Sequence, residues 1–568
     1  MRTSAIRHRT TWRRLSAGLI AAALVTAACG GDDDAADVED PPTEDTAGPD
    51  DDAIEPDDDA VEPDDDAPDV PDADTAVCTE DRIGGSMTVD TGSPLSGLDP
   101  FLLFGTGTVG GDAAGAVYDT VMRYDAPTQT FRPHIAESLE PNDDNTVWTL
   151  RIRDDVAFGN GDPYTTEHIA AHIERLKESV VRAAGMAALV DDIEIVDDHE
   201  MVVTLTTSFN FPYMMATELG WVPNNNLVEE RGDEFHINPA GAGAGPYEVE
   251  RISETAGEEI LLTAKDDYWG GPVCIQELRF IHIPGAQSSF DAFNNRETDT
   301  YFVNNIRHAS QLEADGLLPY AAPAGGINYV LGDQGITGSG ETAFNDVRVR
   351  EAMQLAIDYD AVNERLFDNL TPRSTSAIVP EESPIFHGME GPPYDPERAA
   401  ELVAETIADG TWDGSFVFIH EGTTEATDQA VLLQGLWNAV GMDVELEVVP
   451  SVPGRVIAER NFEVATNGFV VLDPVPWSTL NGLQCGNVRQ RSGFCDPEMD
   501  AAIDELRAAI TIDEIQEALR GMQEVWNETF PVIMLTHGVW AIGAQEHVHG
   551  LQFGPDNTPY YETAWVEQ

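Results

Sequence analysis

The feature that most limits how this chain can fold is a long acidic segment near its beginning. Between Gly30 and Val77 the sequence contains no lysine, arginine or aromatic residue and consists largely of Asp, Glu, Pro and Ala. Such a segment cannot bury enough apolar surface to offset its ordering entropy, and its like charges repel one another. We therefore predict a disordered, extended tether over residues 29–77. A calcium-binding tract is the alternative, but no turn pattern brings the carboxylates together.

The segment before the tether resembles an export signal. Five arginines at positions 2, 7, 9, 13 and 14 precede a short apolar run, Leu15–Ala28, that is too short to span a bilayer comfortably. Cys29 follows small residues directly and resembles the cysteine that is diacylated in bacterial lipoproteins. We predict a signal peptide over residues 1–28 and a lipid anchor at Cys29. Cleavage as an ordinary signal peptide is the alternative, and the paired arginines leave twin-arginine export open beside the Sec route.

Composition limits the partners of the roughly 490 residues that remain, which are enough for two or three domains. The chain has 103 acidic and 30 basic residues, giving a formal net charge of -73. A surface this acidic argues against nucleic acid or an anionic membrane as the main partner. It is compatible with a saline habitat, which composition alone does not establish.

The cysteines indicate an oxidising compartment. Beyond Cys29 there are four, Cys78, Cys274, Cys485 and Cys495, and an even number is typical of disulfide bonding in exported proteins. The ten-residue spacing favours a local Cys485–Cys495 bridge, which leaves Cys78 to pair with Cys274. A metal site is the competing interpretation, although no close cysteine pair or histidine cluster accompanies these residues.

Hydrophobic periodicity indicates both strands and helices. The stretch TVWTLRIR (146–153) alternates apolar and polar residues and predicts a half-buried strand. Asp395 and Asp496 each precede a proline and predict helix starts, and Gly410 predicts the end of the first of these helices. Thr511 with Glu514 forms a capping-box pattern. The mixture predicts an α/β chain of more than one domain.

Motifs for catalysis are weak. Gly105–Gly110 fits the dinucleotide-binding spacing, but no acidic residue follows about twenty positions later in a matching strand, so we expect a cleft loop there. His547 and His549 fit one strand face as metal ligands, but no third ligand is evident. The sequence has no P-loop, serine-hydrolase elbow or zinc-protease motif. We predict no enzyme, no cofactor and no metal site.

A series of longer stretches is more informative than any single motif. GGSMTVDTGSPLSGLDP (84–100) and the long stretch 118–176 come first, and 243–252, 266–272, 345–362, 396–405 and 531–553 follow in order. Together they resemble the family 5 extracellular solute-binding proteins, the oligopeptide- and dipeptide-binding receptors of ABC importers. The resemblance covers nearly the whole chain after the tether.

The resemblance implies a layout. It implies a two-lobed periplasmic-binding-protein fold of type II, closing at a hinge, with an accessory subdomain on the first lobe. The first lobe is expected at 78–326 with its accessory subdomain near 103–240, the second at 327–536, and a return to the first lobe at 537–568.

The resemblance also implies a function. The implied protein is a monomeric receptor without chemistry, lipid-anchored on the outer face of a bacterial cell membrane, that delivers a solute to an ABC permease. A tethered sensor or scaffold of the same fold is the main alternative, and an exported hydrolase is a more distant one.

Three residues are candidates for solute binding. Peptide-binding members of the family hold the amino terminus with an aspartate three residues before an acid-proline pair. Here that pair resembles Asp473-Pro474, which places Val470 at the ammonium position, where valine cannot neutralise a charge. The implied solute is then a peptide-like molecule without a free amine, or a sugar or polyol. Asp473 either takes over the ammonium or caps a short helix, and Trp477 either stacks on the solute or packs in the core.

Overall fold

The structure is a computed structural model that describes most of the chain after the tether. The described residues are 78–568, except 96, 104–110, 127, 180, 254–258, 322–326, 339, 341, 371–374, 470–474 and 488. The predicted signal peptide, Cys29 and the tether lie outside the described residues, as do the glycine-rich stretch 105–110 and the candidates Val470 and Asp473. No helix in the described part is long and apolar enough to cross a membrane.

The first part of the chain builds a large mixed sheet and a smaller antiparallel one. Its elements are β1 (Ser86–Asp90), α1 (Asp112–Tyr118), β2 (Met122–Asp125), β3 (Thr130–Pro133), β4 (Ala136–Pro141), β5 (Val147–Ile152), α2 (Thr166–Leu176), α3 (Arg182–Ala187), β6 (Val190–Asp197), β7 (Glu200–Leu205), α4 (Phe211–Met215), α5 (Asn225–Arg231), β8 (Tyr247–Ile252), β9 (Ile260–Ala264), β10 (Glu277–Ile281), α6 (Ala286–Asn294), β11 (Thr300–Val303), α7 (Ile306–Ala314) and β12 (Tyr320–Ala321).

The second part builds another mixed sheet and then returns. Its elements are β13 (Ile327–Gly332), α8 (Val347–Leu355), α9 (Tyr359–Phe367), α10 (Pro396–Asp409), β14 (Ser415–Glu421), α11 (Thr424–Ala439), β15 (Asp443–Val449), β16 (Val464–Phe469), α12 (Trp477–Leu480), α13 (Pro497–Ala508), α14 (Ile512–Thr529), β17 (Ile533–His537), β18 (Ala541–Ala544), β19 (Val548–His549), β20 (Gln552–Phe553), β21 (Pro559–Tyr560) and β22 (Trp565–Val566).

Two mixed sheets organise these elements. The first sheet has seven strands in the order β12-β18-β11-β1-β10-β9-β8, and β1 runs parallel to β10 and β11. The second sheet has five strands in the order β15-β14-β16-β13-β17. The chain therefore passes between the sheets twice, once between β12 and β13 and once between β17 and β18. The lobe boundaries inferred from the resemblance stay a prediction.

The accessory sheet consists of β4, β5, β7 and β6, all antiparallel. Trp148, Leu150 and Ile152 of β5 point into the core, while Thr149 and Arg151 are only half-buried. The alternation of TVWTLRIR therefore predicts this strand and its buried face correctly.

The helix starts predicted from local sequence are present. The Asp395 side chain accepts a hydrogen bond from the Arg398 N–H at the start of α10, and Gly410, which follows the last helical residue as the C-cap, has φ 81°. A position with this left-handed φ favours glycine, because a residue with a Cβ would be strained there. Asp496 caps α13 in the same way, and Thr511 with Glu514 forms the capping box of α14.

Both predicted disulfides are present. Cys78 pairs with Cys274 across 196 residues, and Cys485 pairs with Cys495 across 10. The first bridge joins the start of the described chain to the segment just before β10. The metal-site interpretation of these four cysteines is therefore wrong.

Candidate functional site

The candidate solute site lies at one edge of the second sheet. Strand β14 runs parallel to β15 and to β16, so Glu421, Val449 and Phe469 end at the same edge. Ligands of open α/β sheets bind outside the carboxyl ends of such strands. Strand β16 continues directly from this edge into residues 470–474, the segment that contains Val470 and Asp473. The roles of these two residues stay a prediction, because both lie outside the described residues.

Helix α12 follows that segment. It spans Trp477–Leu480 and has Pro476 at its N-cap position. The alternative role of Asp473, as the cap of a short helix beginning at Pro474, stays a prediction, because both residues lie outside the described residues.

Trp477 is enclosed by protein. Its side chain is 7% exposed, and its ring lies edge-on to Phe209 with 4.9 Å between ring centroids. Phe209 lies two residues before α4, and its contact with Trp477 places α12 and the chain between β7 and α4 in one apolar cluster. The Trp477 Nε1–H is buried and has no hydrogen-bond partner. Trp477 is thus an aromatic side chain at the junction of two regions with an unused donor, and its contact with a solute stays a prediction.

A polar group borders the same edge. Arg491 Nη1 donates to Asn467 Oδ1 at 2.6 Å and to the Gly468 carbonyl oxygen at 3.3 Å. Tyr329 lies next to this guanidinium, and burial raises the Tyr329 pKa to about 12 although Arg491 and Arg489 oppose the rise. Tyr329, Asn467 and Gly468 also line a cavity of about 280 Å³.

The Cys485–Cys495 disulfide closes the loop that carries these arginines. Arg489 Nη1 donates to the Ser478 carbonyl oxygen at 2.8 Å and to Asn481 Oδ1 at 3.2 Å. One guanidinium therefore contacts the end of β16 and the other contacts α12, so the loop contacts both flanks of residues 470–474. Neither arginine was predicted from the sequence as part of the site. The signal was available, because basic residues within a cysteine-closed loop are unusual in a chain with 30 basic residues against 103 acidic ones.

The two histidines considered as metal ligands have separate partners. His547 Nε2 lies 2.8 Å from Asp299 Oδ1, and His549 Nε2 lies 3.4 Å from Glu567 Oε1. The His549 ring also packs on Trp565. Within the described residues, no group of three or more His, Cys, Asp or Glu side chains is arranged to hold a metal ion.

A buried ion network surrounds Asp119, the residue that follows α1. Asp119 Oδ1 lies 2.7 Å from Arg123 Nη2 and 2.8 Å from His134 Nε2. Tyr268 donates its hydroxyl to Asp119 Oδ2 at 2.6 Å. Arg123 in turn pairs with Glu562 at 2.8 Å. The network joins the end of α1 to the returning segment of the chain.

Comparison with known proteins identifies the family. Residues 130–489, more than half of the chain, match the family described as "Bacterial extracellular solute-binding proteins, family 5 Middle". The di/tripeptide-binding protein 1 of Pseudomonas aeruginosa is 22% identical over 82% of this chain and 91% of that relative. Heme-binding protein A of Haemophilus influenzae is 20% identical over 82% of this chain and 89% of that relative.

Solved structures agree in fold. The periplasmic binding protein DppA of Helicobacter pylori, in complex with the peptide STSA, has a TM-score of 0.70 at 19% identity and covers 86% of this chain and 99% of its own. NikZ of Campylobacter jejuni, in complex with Ni(L-His), has a TM-score of 0.68 at 16% identity and covers 85% of this chain and 99% of its own. The chain belongs to the family 5 bacterial extracellular solute-binding proteins and has their two-lobed, type II periplasmic-binding-protein fold.

Proposed function

We propose that this protein captures a small solute between its two lobes and delivers it, chemically unchanged, to an ABC importer. The observation that carries the proposal is that the chain passes between the two sheets twice, once between β12 and β13 and once between β17 and β18. Two short crossings allow the lobes to rotate about a common hinge, which is the usual closure of binding proteins of this type. The relatives named above take peptides, heme or a nickel complex. The fold therefore supports capture of a solute, and the side chains at the binding site determine which solute is bound.

The solute that fits the candidate site best is a peptide-like molecule without a free amine, or a sugar or polyol. Val470, at the proposed ammonium position, offers no charge to a protonated amine, and an unpaired buried charge is costly. The unused Nε1–H of Trp477 supports a solute that carries a hydrogen-bond acceptor.

The anchor is the second part of the proposal. Acylated Cys29 would hold the protein on the outer face of the cell membrane as a monomer, and the acidic segment would let the folded part move near the permease. Confinement of this kind raises the local concentration of receptor at its partner. Cys29→Ala should release the protein into the medium or leave an unprocessed precursor, and unchanged detergent-phase partitioning would contradict the anchor.

Solute identity and transport can be tested together. Native mass spectrometry of the protein purified from its own cells should show one co-purifying solute per chain, and deletion of the gene should abolish uptake of that solute. Unchanged uptake, or turnover of the solute by the purified protein, would contradict the proposal.

Selectivity can be tested by calorimetry. Free-amino di- and tripeptides should bind at least about a hundredfold more weakly than the true solute, since each 1.4 kcal/mol is tenfold in affinity. Val470→Asp should shift the preference toward them. Micromolar binding of ordinary peptides by the wild type, lost in Asp473→Asn, would instead assign the ammonium to Asp473.

A further inference from the structure

One face of the second sheet carries a row of polar side chains at the candidate solute site. Tyr329 of β13 lies directly opposite Asn467 of β16, so their side chains share one face of the sheet. Ile419 of β14 pairs with Ala465 of β16, so Glu421, two residues further along β14, lies on this same face. Glu421, Asn467 and Tyr329 all line the cavity of about 280 Å³ at this edge.

Arg491 brings a positive charge to this row. It is half-buried, and its Nη1 donates to Asn467 Oδ1 at 2.6 Å and to the Gly468 carbonyl oxygen at 3.3 Å. The guanidinium also lies beside the Tyr329 phenol, which stays neutral because burial raises the Tyr329 pKa to about 12. Within the part of the chain that the structure describes, no carboxylate forms an ion pair with Arg491. Its positive charge is therefore not offset by a protein anion there.

The Asn467 side chain has only one orientation that suits its neighbours. Its Oδ1 accepts from Arg491 Nη1 and from the Gly468 N–H at 2.8 Å, and both of these groups can only donate. Turning the amide over would place its own N–H groups against these two donors. Asn467 Nδ2 is buried and has no hydrogen-bond partner. Buried donors almost always have a partner, so this nitrogen is suited to an acceptor on a bound solute.

We propose that Arg491 and Asn467 form an anion subsite and that the solute carries a carboxylate group which they bind. A guanidinium recognises a carboxylate through charge-assisted hydrogen bonds, and Asn467 Nδ2 adds a neutral donor beside it. Glu421 is the one acid among the residues that line the cavity, and its Oε1 accepts from the Val452 N–H at 3.0 Å. Its other oxygen suits a hydroxyl or an amide N–H of the same solute.

This inference rests on the proposed function and narrows its class of solute. A peptide-like solute without a free amine would be an N-acylated peptide with a free carboxyl end, and a sugar-like solute would be a sugar acid. A chain with 103 acidic and 30 basic residues repels anions over most of its surface, so a local guanidinium is needed to hold one. The assignment uses described residues and does not depend on the roles of Val470 and Asp473.

Calorimetry with two matched pairs of probes tests the subsite. The first pair is N-acetyl-dialanine and its C-terminal amide, and the second is galacturonate and galactose. The acid of at least one pair should bind the wild type at least about tenfold more tightly than its neutral partner. No excess affinity for the acid in either pair, which includes binding of none of the four probes, would overturn the proposal.

Variants separate anion binding from a structural role of the disulfide loop. Asn467→Asp keeps the side-chain shape and places a carboxylate against Arg491, so the excess affinity for the acid should be lost. Arg491→Gln should also lose it, and Arg491→Lys, which keeps the charge, should retain part of it. Arg296→Gln removes an arginine that is 63% exposed, and this control should keep the full excess. If Arg491→Gln weakens the acid and its neutral partner equally, the role of Arg491 is structural and the proposal is overturned.

The subsite and the proposed function fail in different ways. If a neutral solute co-purifies with the protein and its uptake needs the gene, capture stands and the anion subsite is wrong. If the acid is preferred in calorimetry but deletion of the gene leaves uptake unchanged, the subsite stands and delivery to an importer is wrong.

Discussion

Helix α1 has a buried carboxylate at each end, and the two have different surroundings. Asp112 is its first residue and Asp119 follows its last, and both are at most 2% exposed. Asp119 is surrounded by Arg123, His134 and the Tyr268 hydroxyl. Asp112 Oδ1 has no protein partner.

The pKa values of the two carboxyls move in opposite directions. Burial raises the pKa of Asp112 to about 7. Burial also acts to raise the pKa of Asp119, but the charges of His134 and Arg123 outweigh it and hold that pKa well below its usual range. Two side chains buried to a similar degree therefore favour opposite protonation states. The comparison teaches that partners, rather than burial, decide what a buried acid contributes to stability.

The largest loss of stability should come from removing the Asp119 carboxylate, which has protein partners on both of its oxygens. Asp119→Ala should lower the free energy of unfolding by about 3–5 kcal/mol, because Arg123 and His134 would remain buried with fewer partners. Urea unfolding followed by circular dichroism measures the change. Asp192→Ala, at an exposed position, should stay within about 0.5 kcal/mol of the wild type. Equal losses in the two variants would show that the Asp119 network adds nothing.

Removing Arg123 should lower the free energy of unfolding by less than removing Asp119 does. Arg123→Met keeps much of the side-chain volume and leaves Asp119 with His134 and Tyr268, so we expect a loss of about 2–3 kcal/mol. Glu562, which is 19% exposed, can turn toward water when its partner is gone. A loss larger than that of Asp119→Ala, in the same urea experiment, would mean that Glu562 rather than Asp119 is the main partner.

Replacing Asp112, at the other end of α1, by a neutral residue should raise the free energy of unfolding instead of lowering it. Asp112→Asn should raise the free energy of unfolding by about 1 kcal/mol at pH 7, because a neutral amide avoids the cost of burying an acid whose pKa is raised to about 7. The same urea titration measures it. Destabilisation by Asp112→Asn would mean that the surroundings of Asp112 satisfy its carboxyl group, and it would remove the contrast between the two ends of α1.

The pH dependence should show the contribution of Asp119. A carboxyl with a depressed folded pKa adds stability that is fully present above its unfolded pKa, 3.8 here, and is lost as pH falls below that value. Wild-type protein should therefore lose stability steeply below about pH 4, and Asp119→Asn should show a shallower loss in that range. Parallel curves for the two proteins would contradict the depressed pKa of Asp119.

Local signals in the sequence predicted much of the fold. The Asp-Pro pairs at 395 and 496 and the Thr511–Glu514 box act within four residues, so the sequence shows both partners of each cap. Alternation in TVWTLRIR likewise reports a single strand and its buried face. The overall architecture came from the ordered resemblance to a family, since no local pattern fixes which strands pair.

Contacts between distant residues were not predictable in the same way. Asp119 contacts Tyr268 across 149 residues, and Trp477, just after the second sheet's β16, contacts Phe209, which comes before α4. The sequence marks such residues as polar or aromatic without indicating their partners. It therefore left two interpretations of Trp477 open, and it gave no reason to distinguish Asp112 from the many other acids. Arg489 and Arg491 were missed for the same reason, because their role depends on where the disulfide loop folds back.

The Cys78–Cys274 bridge has a mechanical consequence. If the chain is held at Cys29, any pull on the tether enters the folded part at Cys78, eight residues before β1 begins. Without the bridge, that force would peel β1 away from β10 and β11 one hydrogen bond at a time. With the bridge, the load passes through a covalent link to Cys274 and into the segment leading to β10. The central strand of the first sheet would thereby be shielded from tension. A pull on the predicted tether would then not unfold the first sheet strand by strand.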